Sequence, residues 1–184
     1  MHVNEAENGV VYLTWPAIEK IEGIRHAFST RIGGVSKEHL SSMNLSFSRG
    51  DDPANVRENY RRFCEAAGFE VENIVTSDQA HTTKVRYVTK ADCGSGVTRD
   101  RDFHDIDGMI TDEPGVVLAT FYADCVPLYF VDPVHRAIGL SHSGWRGTVH
   151  KMGQVTLDAM HERFGTEAKD CLLYTSDAAD DLTR

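Results

Sequence analysis

Pro127-Leu128-Tyr129-Phe130-Val131-Asp132-Pro133-Val134-His135-Arg136-Ala137-Ile138-Gly139-Leu140-Ser141 holds two β-rich apolar runs on either side of a turn signal. Asp132-Pro133 marks the turn, because an Asx-Pro pair favours chain reversal over strand continuation. A third run, Val116-Val117-Leu118-Ala119-Thr120, lies upstream, and Asp107 to Thr111 opens the same densely apolar region. Shorter strand signals fall at Val10 to Leu13, His26 to Thr30, Asn73 to Ser77 and Lys84 to Thr89. Helices are fewer. Asp52-Pro53 supplies an N-cap acid and a first-turn proline. Val56, Tyr60, Phe63, Cys64 and Ala67 then share one helical face, and Gly68 ends the pattern. A final helix is expected after Gly147, with Val149, Met152, Thr156, Ala159, Met160 and Phe164 turned inward. The polar, Gly-containing stretch from Ala91 to Asp105 reads as loop. Many strands and few helices indicate a mixed α/β domain with helices packed on sheets.

The chain of 184 residues has room for one domain with its own core, and its 41% apolar and 26% charged residues are ordinary for a globular protein. It carries 19 Lys+Arg against 28 Asp+Glu, a net charge of −9. That balance disfavours nucleic acid and anionic membrane as partners, since both select cationic surfaces. No apolar run approaches the roughly 20 residues of a membrane span. The acidic start, Met1 to Glu7, has no basic-then-apolar pattern, so a cytoplasmic and monomeric protein is expected. Four cysteines are too few for a disulfide scaffold of this size. Cys64 reads as core and Cys93 as an exposed loop thiol.

Polar reactive residues sit at the ends of apolar strands in three segments: Gln79-Ala80-His81, Ala123-Asp124-Cys125-Val126-Pro127 and Ser141-His142-Ser143-Gly144-Trp145-Arg146-Gly147. Such positions present side chains to a cleft. Cys125 reads equally as a buried thiol, a metal ligand or a nucleophile. His81 and His142, taken singly, read first as hydrogen-bonded structural residues. Together the three form a Cys/His/His set of the kind that holds catalytic zinc with an open position. None of them lies at a short CxxC or HExxH spacing, so any such site is assembled only by folding. Arg31 and Arg146, each in a Gly-rich context, are candidate anion-binding residues.

These segments are similar to those of the YfiH/laccase-domain family, also called multicopper polyphenol oxidase, bacterial purine nucleoside phosphorylase or peptidoglycan-editing factor. The resemblance rests on Phe28-Ser29-Thr30-Arg31-Ile32-Gly33-Gly34-Val35-Ser36, Asn44-Leu45, Val56-Arg57-Glu58-Asn59, Gln79-Ala80-His81, Asp107-Gly108-Met109, Ala123-Asp124-Cys125-Val126-Pro127 and His142-Ser143-Gly144-Trp145-Arg146-Gly147, in family order. It departs at Thr82, where the family often has Gly.

The resemblance implies an α/β (α+β) fold of stacked mixed β-sheets with outer helices, the YfiH-like fold. It implies a zinc site, with copper as the other candidate metal, held by His81, Cys125 and His142. The chain shows no ligand set for several coppers. The implied substrates are purine nucleosides and phosphate, with phosphorolysis of adenosine, inosine or methylthioadenosine and deamination of adenosine. The catalytic set is then Cys125, His142, His81 and, as an acid/base by position, Asp124, with Arg31 and Arg146 for substrate or phosphate. Two other functions compete: a Cys/His amidase editing a peptidoglycan precursor, with Cys125 as nucleophile and His142 as base, and a non-enzymatic metal-binding module. The resemblance runs from about residue 25 to 165, within a domain at 1–170 that is expected to be incomplete at its C-terminus. Residues 171–184 carry no family motif and read as a non-native tail.

Overall fold

The computed structural model describes residues 1–175. The chain divides into two compact units, Met1–Val71 and Glu72–Arg184. No helix among the described residues is long and apolar enough to cross a membrane.

In the first unit, β1 (His2–Glu5), β2 (Val11–Thr14) and β3 (Phe28–Ser29) form an antiparallel sheet in the order β1-β2-β3, and the short helix α1 (Pro16–Glu19) follows β2. The polar sequence His2-Val3-Asn4-Glu5 carries no alternation, which is why β1 escapes a reading by periodicity. Helix α2 (Pro53–Ala67) begins and ends as its sequence predicts. The Asp52 carboxylate accepts the Ala54 N–H at 2.8 Å, and Gly68 closes the helix in the left-handed region at φ 72°. Val56, Tyr60, Cys64 and Ala67 are buried, while Phe63 is only half-buried and meets Tyr12 edge-on.

Asn59, on the same helix, is fully buried. Its Oδ1 accepts the Val35 N–H at 2.8 Å, and its Nδ2 donates to Ser36 Oγ and to the Asn44 carbonyl, both at 2.8 Å. Asp51 continues the network by accepting from Ser36 Oγ and Asn44 Nδ2. Hydrogen bonds from Asn44, Ser36 and Asn55 hold its carboxyl at about 2, below the ordinary 3.8. Three separate sequence motifs thus meet in one polar web.

The second unit contains β4 (Ile74–Thr76), β5 (Val85–Tyr87), β6 (Gly108–Thr111), β7 (Val117–Ala119), β8 (Val126–Asp132), β9 (Ala137–Ser143), α3 (Trp145–Val149), α4 (Met152–Phe164) and β10 (Leu172–Thr175). Five strands form a mixed sheet in the order β10-β8-β9-β6-β5, with only β5 and β6 parallel; β4 and β7 make a separate parallel pair. The β8–β9 hairpin runs from Val126↔Ser143 to Asp132↔Ala137. Asp132 builds its turn by accepting the N–H groups of Val134 and His135 at 2.9 and 3.0 Å.

Strand alternation gives this sheet two different faces. Ile110, Leu128, Phe130 and Ala137 pack with Met152 and Met160 of α4, whereas Met109 packs with Val75, Val88, Phe103 and Val116 on the other side. Both faces of β6 are therefore covered, and all four of its residues are buried. This is an α+β architecture of stacked sheets with an outer helix, as expected.

Two elements differ from the sequence reading. The final helix is two helices that begin at Trp145, ahead of Gly147, because Lys151 sits in the left-handed region at φ 57°, ψ 47°. The break resets the helical register. Met152, Thr156 and Met160 face the core as expected, but Val149 is 67% exposed. In addition, Leu172–Thr175, inside the stretch that carries no family motif, pair antiparallel with β8 as the sheet's edge strand. The rest of that stretch, 176–184, lies outside the described residues.

Replacing Asn59 by Ala leaves the Val35 N–H without its buried acceptor and the Asn44 carbonyl without its donor. Each orphaned group costs about 1–3 kcal/mol, so Asn59→Ala is expected to lower the unfolding free energy by about 2–4 kcal/mol in urea titration.

Candidate metal centre

Three segments deliver one side chain each to a common point. His81 stands in the loop between β4 and β5, Cys125 in the last loop position before β8, and His142 within β9. Their ligand atoms all lie within 4.8 Å of one another. Cys125 Sγ is 3.9 Å from His81 Nε2, and the two imidazoles meet edge to face with centroids 4.9 Å apart. A tetrahedral zinc site with its usual Zn–S and Zn–N lengths separates its ligands by about 3.3–3.7 Å. Small side-chain movements bring these three atoms to that spacing, so the set fits such an ion. Among the described residues, this is the one group of three or more metal-capable side chains. The cluster is graded in exposure, with His81 exposed, Cys125 half-buried and His142 buried.

Local structure explains each placement. Alternation along β9 sends Ser141 toward α4, where it pairs with Thr156 at 2.8 Å, and His142 to the opposite face. The loop bearing His81 is spliced to the Cys125 loop through Gln79. Its Nε2 donates to the Phe121 carbonyl at 2.6 Å, and its Oε1 accepts the Phe121 N–H at 2.7 Å. The Tyr122 ring lies 5.7 Å from that of His142, and its hydroxyl bonds with Thr120 Oγ1 and donates to the Ser141 carbonyl. Burial pushes the Tyr122 hydroxyl far above its ordinary pKa, so it remains a donor at neutral pH.

One residue the motif reading left without a role sits beneath the cluster. Asp107 is fully buried. Its Oδ1 faces His142 Nδ1 at 2.8 Å and accepts the His81 N–H at 3.1 Å. Its Oδ2 accepts the Ala80 and Thr82 N–H groups at 3.1 and 2.7 Å and the Thr82 hydroxyl at 3.0 Å. Burial acts to raise its pKa, but the hydrogen bonds from His142, Thr82 and Ala80 outweigh burial and bring the net shift below the ordinary value. The signal available in the sequence was an acid directly ahead of a buried apolar strand.

The other candidates are placed differently. Asp124 is exposed beside Cys125. Arg146 is exposed on α3, with its guanidinium 5.4 Å from the centroid of Trp145, itself 73% exposed. Arg31 belongs to the first unit, where its guanidinium donates to the carbonyls of Ser41 and His39. The imidazole within hydrogen-bond reach of Cys125 is that of His81 rather than that of His142.

Among the described residues, this α+β chain brings one Cys/His/His cluster together from two loops and a strand, a group that could hold a metal ion. The model of the family described as multi-copper polyphenol oxidoreductase laccase matches residues 25–180, and the chain belongs to that family. It is 44% identical over 124 residues to purine nucleoside phosphorylase YlmD of Geobacillus stearothermophilus, a match covering 65% of this chain and 44% of that protein. It is 35% identical over 147 residues to the protein of the same name from Bacillus subtilis, covering 78% and 52%. Among solved structures, Bacillus licheniformis hypothetical protein YfiH superposes with a TM-score of 0.83 at 29% identity, covering 94% of this chain and 63% of that one. YlmD from G. stearothermophilus gives 0.81 at 33% identity, covering 95% and 64%. The chain spans about half the length of these two curated relatives.

Gly144 limits the space around the cluster. A Cβ there would lie 2.8 Å from Cys125 Sγ and 3.1 Å from His81 Cδ2. Free side chains can yield to such a methyl, but ligands pinned to an ion cannot. Overpacking costs about 1–3 kcal/mol. Gly144→Ala is therefore expected to weaken zinc binding about tenfold or more in chelator competition, with little change in the metal-free unfolding midpoint.

Proposed function

We propose that this chain carries the metal centre of a purine nucleoside phosphorylase, with zinc held by His81, Cys125 and His142. The observation that carries the reading is the three-ligand cluster itself, in a chain 44% identical to a protein named purine nucleoside phosphorylase. The reaction transfers the sugar of adenosine, inosine or methylthioadenosine to phosphate. The N9–C1′ bond breaks, a phosphate oxygen bonds to C1′, and the purine leaves with a proton. Adenosine deamination is the second activity. Water adds at the purine C6 and ammonia leaves, giving inosine; a metal held by His81, Cys125 and His142 would supply Lewis acidity and lower the pKa of that water.

Further residues have separable tasks. Arg146 is exposed close in sequence to the cluster and pairs with phosphate through its guanidinium fork. Trp145, one residue beyond Gly144, offers an exposed aromatic face of the kind on which a purine stacks. Asp124, exposed beside Cys125, is the acid/base candidate for exchanging protons with the departing or attacked base. Arg31 remains the second anion candidate, although its guanidinium is engaged with backbone carbonyls.

The test is phosphate-dependent adenine release and inosine formation from adenosine. Loss of a ligand is expected to reduce turnover at least about 100-fold in His81→Ala, Cys125→Ala and His142→Ala. Full activity in all three sinks the assignment. Arg146→Ala is expected to raise the KM for phosphate about tenfold, the cost of one charge-assisted bond, with kcat largely retained.

The 3.9 Å approach of Cys125 to His81 also favours a second reading, a Cys/His amidase. Its base would be His81 rather than His142. Chelation separates the two: the nucleoside activity disappears on metal removal, whereas amidase activity survives it and is lost on alkylation of Cys125.

A further inference from the structure

We propose that Asp107 is the positioning residue for both imidazoles of the cluster. It holds His142 as the Nδ1–H tautomer, with Nε2 turned to the metal, and it fixes the backbone that aims His81. The proposal rests on the metal reading above and concerns how the ligand set is prepared before any ion arrives.

Four N–H and O–H donors converge on the Asp107 carboxylate, whose two oxygens accept from all of them. The ring nitrogen that faces it at 2.8 Å must therefore be the protonated one, Nδ1–H. In a neutral imidazole the other nitrogen then carries the lone pair that a metal requires. His142 is 4% exposed, and its backbone N–H donates to the Asp107 carbonyl at 2.7 Å, so ring and main chain are tied to the same residue.

The second imidazole is set through the backbone. The successive N–H groups of Ala80, His81 and Thr82 converge on the Asp107 carboxylate, forming an anion-binding nest with that carboxylate inside it. His81 adopts φ 59°, a left-handed conformation that is unfavourable for a residue with a Cβ. The flanking N–H bonds hold it there, and this conformation directs its ring toward Cys125. One carboxylate thereby governs two ligands that lie 61 positions apart in the chain.

The substitution Asp107→Asn removes one of the two acceptors while keeping the shape. If the amide oxygen faces His142, its NH2 opposes the Ala80 and Thr82 N–H groups and the nest opens. If the amide turns the other way, NH2 meets the ring and drives His142 to the Nε2–H tautomer, which cannot bind metal through that atom.

The experiment uses the full metal-free chain and long-range 1H–15N spectra of the histidine rings, followed by titration with zinc alone against a chelator. The wild-type protein is expected to show His142 as Nδ1–H. Asp107→Asn is expected to move that tautomer, or to shift the His81 resonances, and to weaken zinc binding about 10–100-fold. Thr156→Val breaks the buried Ser141–Thr156 bond on the other face of the strand, so it is expected to lower stability without moving the tautomer. An Nε2–H tautomer in the wild-type protein overturns the proposal, and that reading needs no variant to fold. Unchanged tautomer, His81 resonances and affinity in Asp107→Asn also overturn it. A wild-type chain that binds no zinc counts instead against the metal reading, and the spectra still decide the role of Asp107.

Discussion

The buried carboxylate of Asp107 is the constraint around which the second unit is arranged. Placing an ion beyond the reach of water costs several kcal/mol, and here five donors from the 80–82 loop and from β9 offset that cost. Those donors exist only if the β4–β5 loop, the start of β6 and the end of β9 occupy their observed positions together. The neighbours of Asp107 serve the same arrangement. A Cβ on Gly108 would lie 2.6 Å from Ser141 Oγ and 2.7 Å from Met152 Cε, so glycine lets α4 close on the sheet. Met109 turns to the opposite face and fills the second core. Acid, glycine and methionine in succession are thus a polar clamp, a close approach and a core plug.

What could be read in the sequence followed the range of the interactions involved. Helix α2 and the β8–β9 hairpin are written in local signals: a cap, a proline, a helical face, β-rich apolar runs and an Asp-Pro turn. Their limits fell close to where those signals put them. The three reactive segments were also visible, since polar residues at apolar strand ends stand out. The convergence of His81, Cys125 and His142 was not, because no local spacing encodes it; the resemblance to a family supplied it. Asp107 was harder still. An acid ahead of a strand looks like an ordinary turn residue, and its donors lie at 80–82 and 142, brought to it by tertiary pairing. The break at Lys151 is a related case. Nothing in Val149-His150-Lys151-Met152 forbids a continuous helix by propensity, yet Lys151 sits in the left-handed region.

The first unit shows the opposite use of motif residues. Val35, Ser36, Asn44 and Asn59 all stand in segments that carry the family resemblance, yet their contacts are with one another. Arg31 likewise spends its guanidinium on the carbonyls of His39 and Ser41. A recurrent polar residue therefore has two origins in this chain, the demands of a reactive site and the need to satisfy the backbone of long loops. Buried partners distinguish the two. Asn59 satisfies main-chain groups and faces no opening, whereas His142 has one nitrogen satisfied and the other directed into the cluster.

The cluster is consequently not uniform in stiffness. His142 is anchored by a strand, a buried acceptor and a backbone bond, and His81 by three consecutive N–H groups. Cys125 has no comparable anchor of its own. Its loop is tied at Phe121, through Gln79, and at Tyr122, whose hydroxyl donates to the Ser141 carbonyl, and β8 begins one position downstream. The His142 ring is held by Asp107, whereas His81 is held through its backbone and its side chain is exposed. Asp124 stands directly beside Cys125, so an ion that drew the thiol inward would in the same step settle the acid/base candidate next to it.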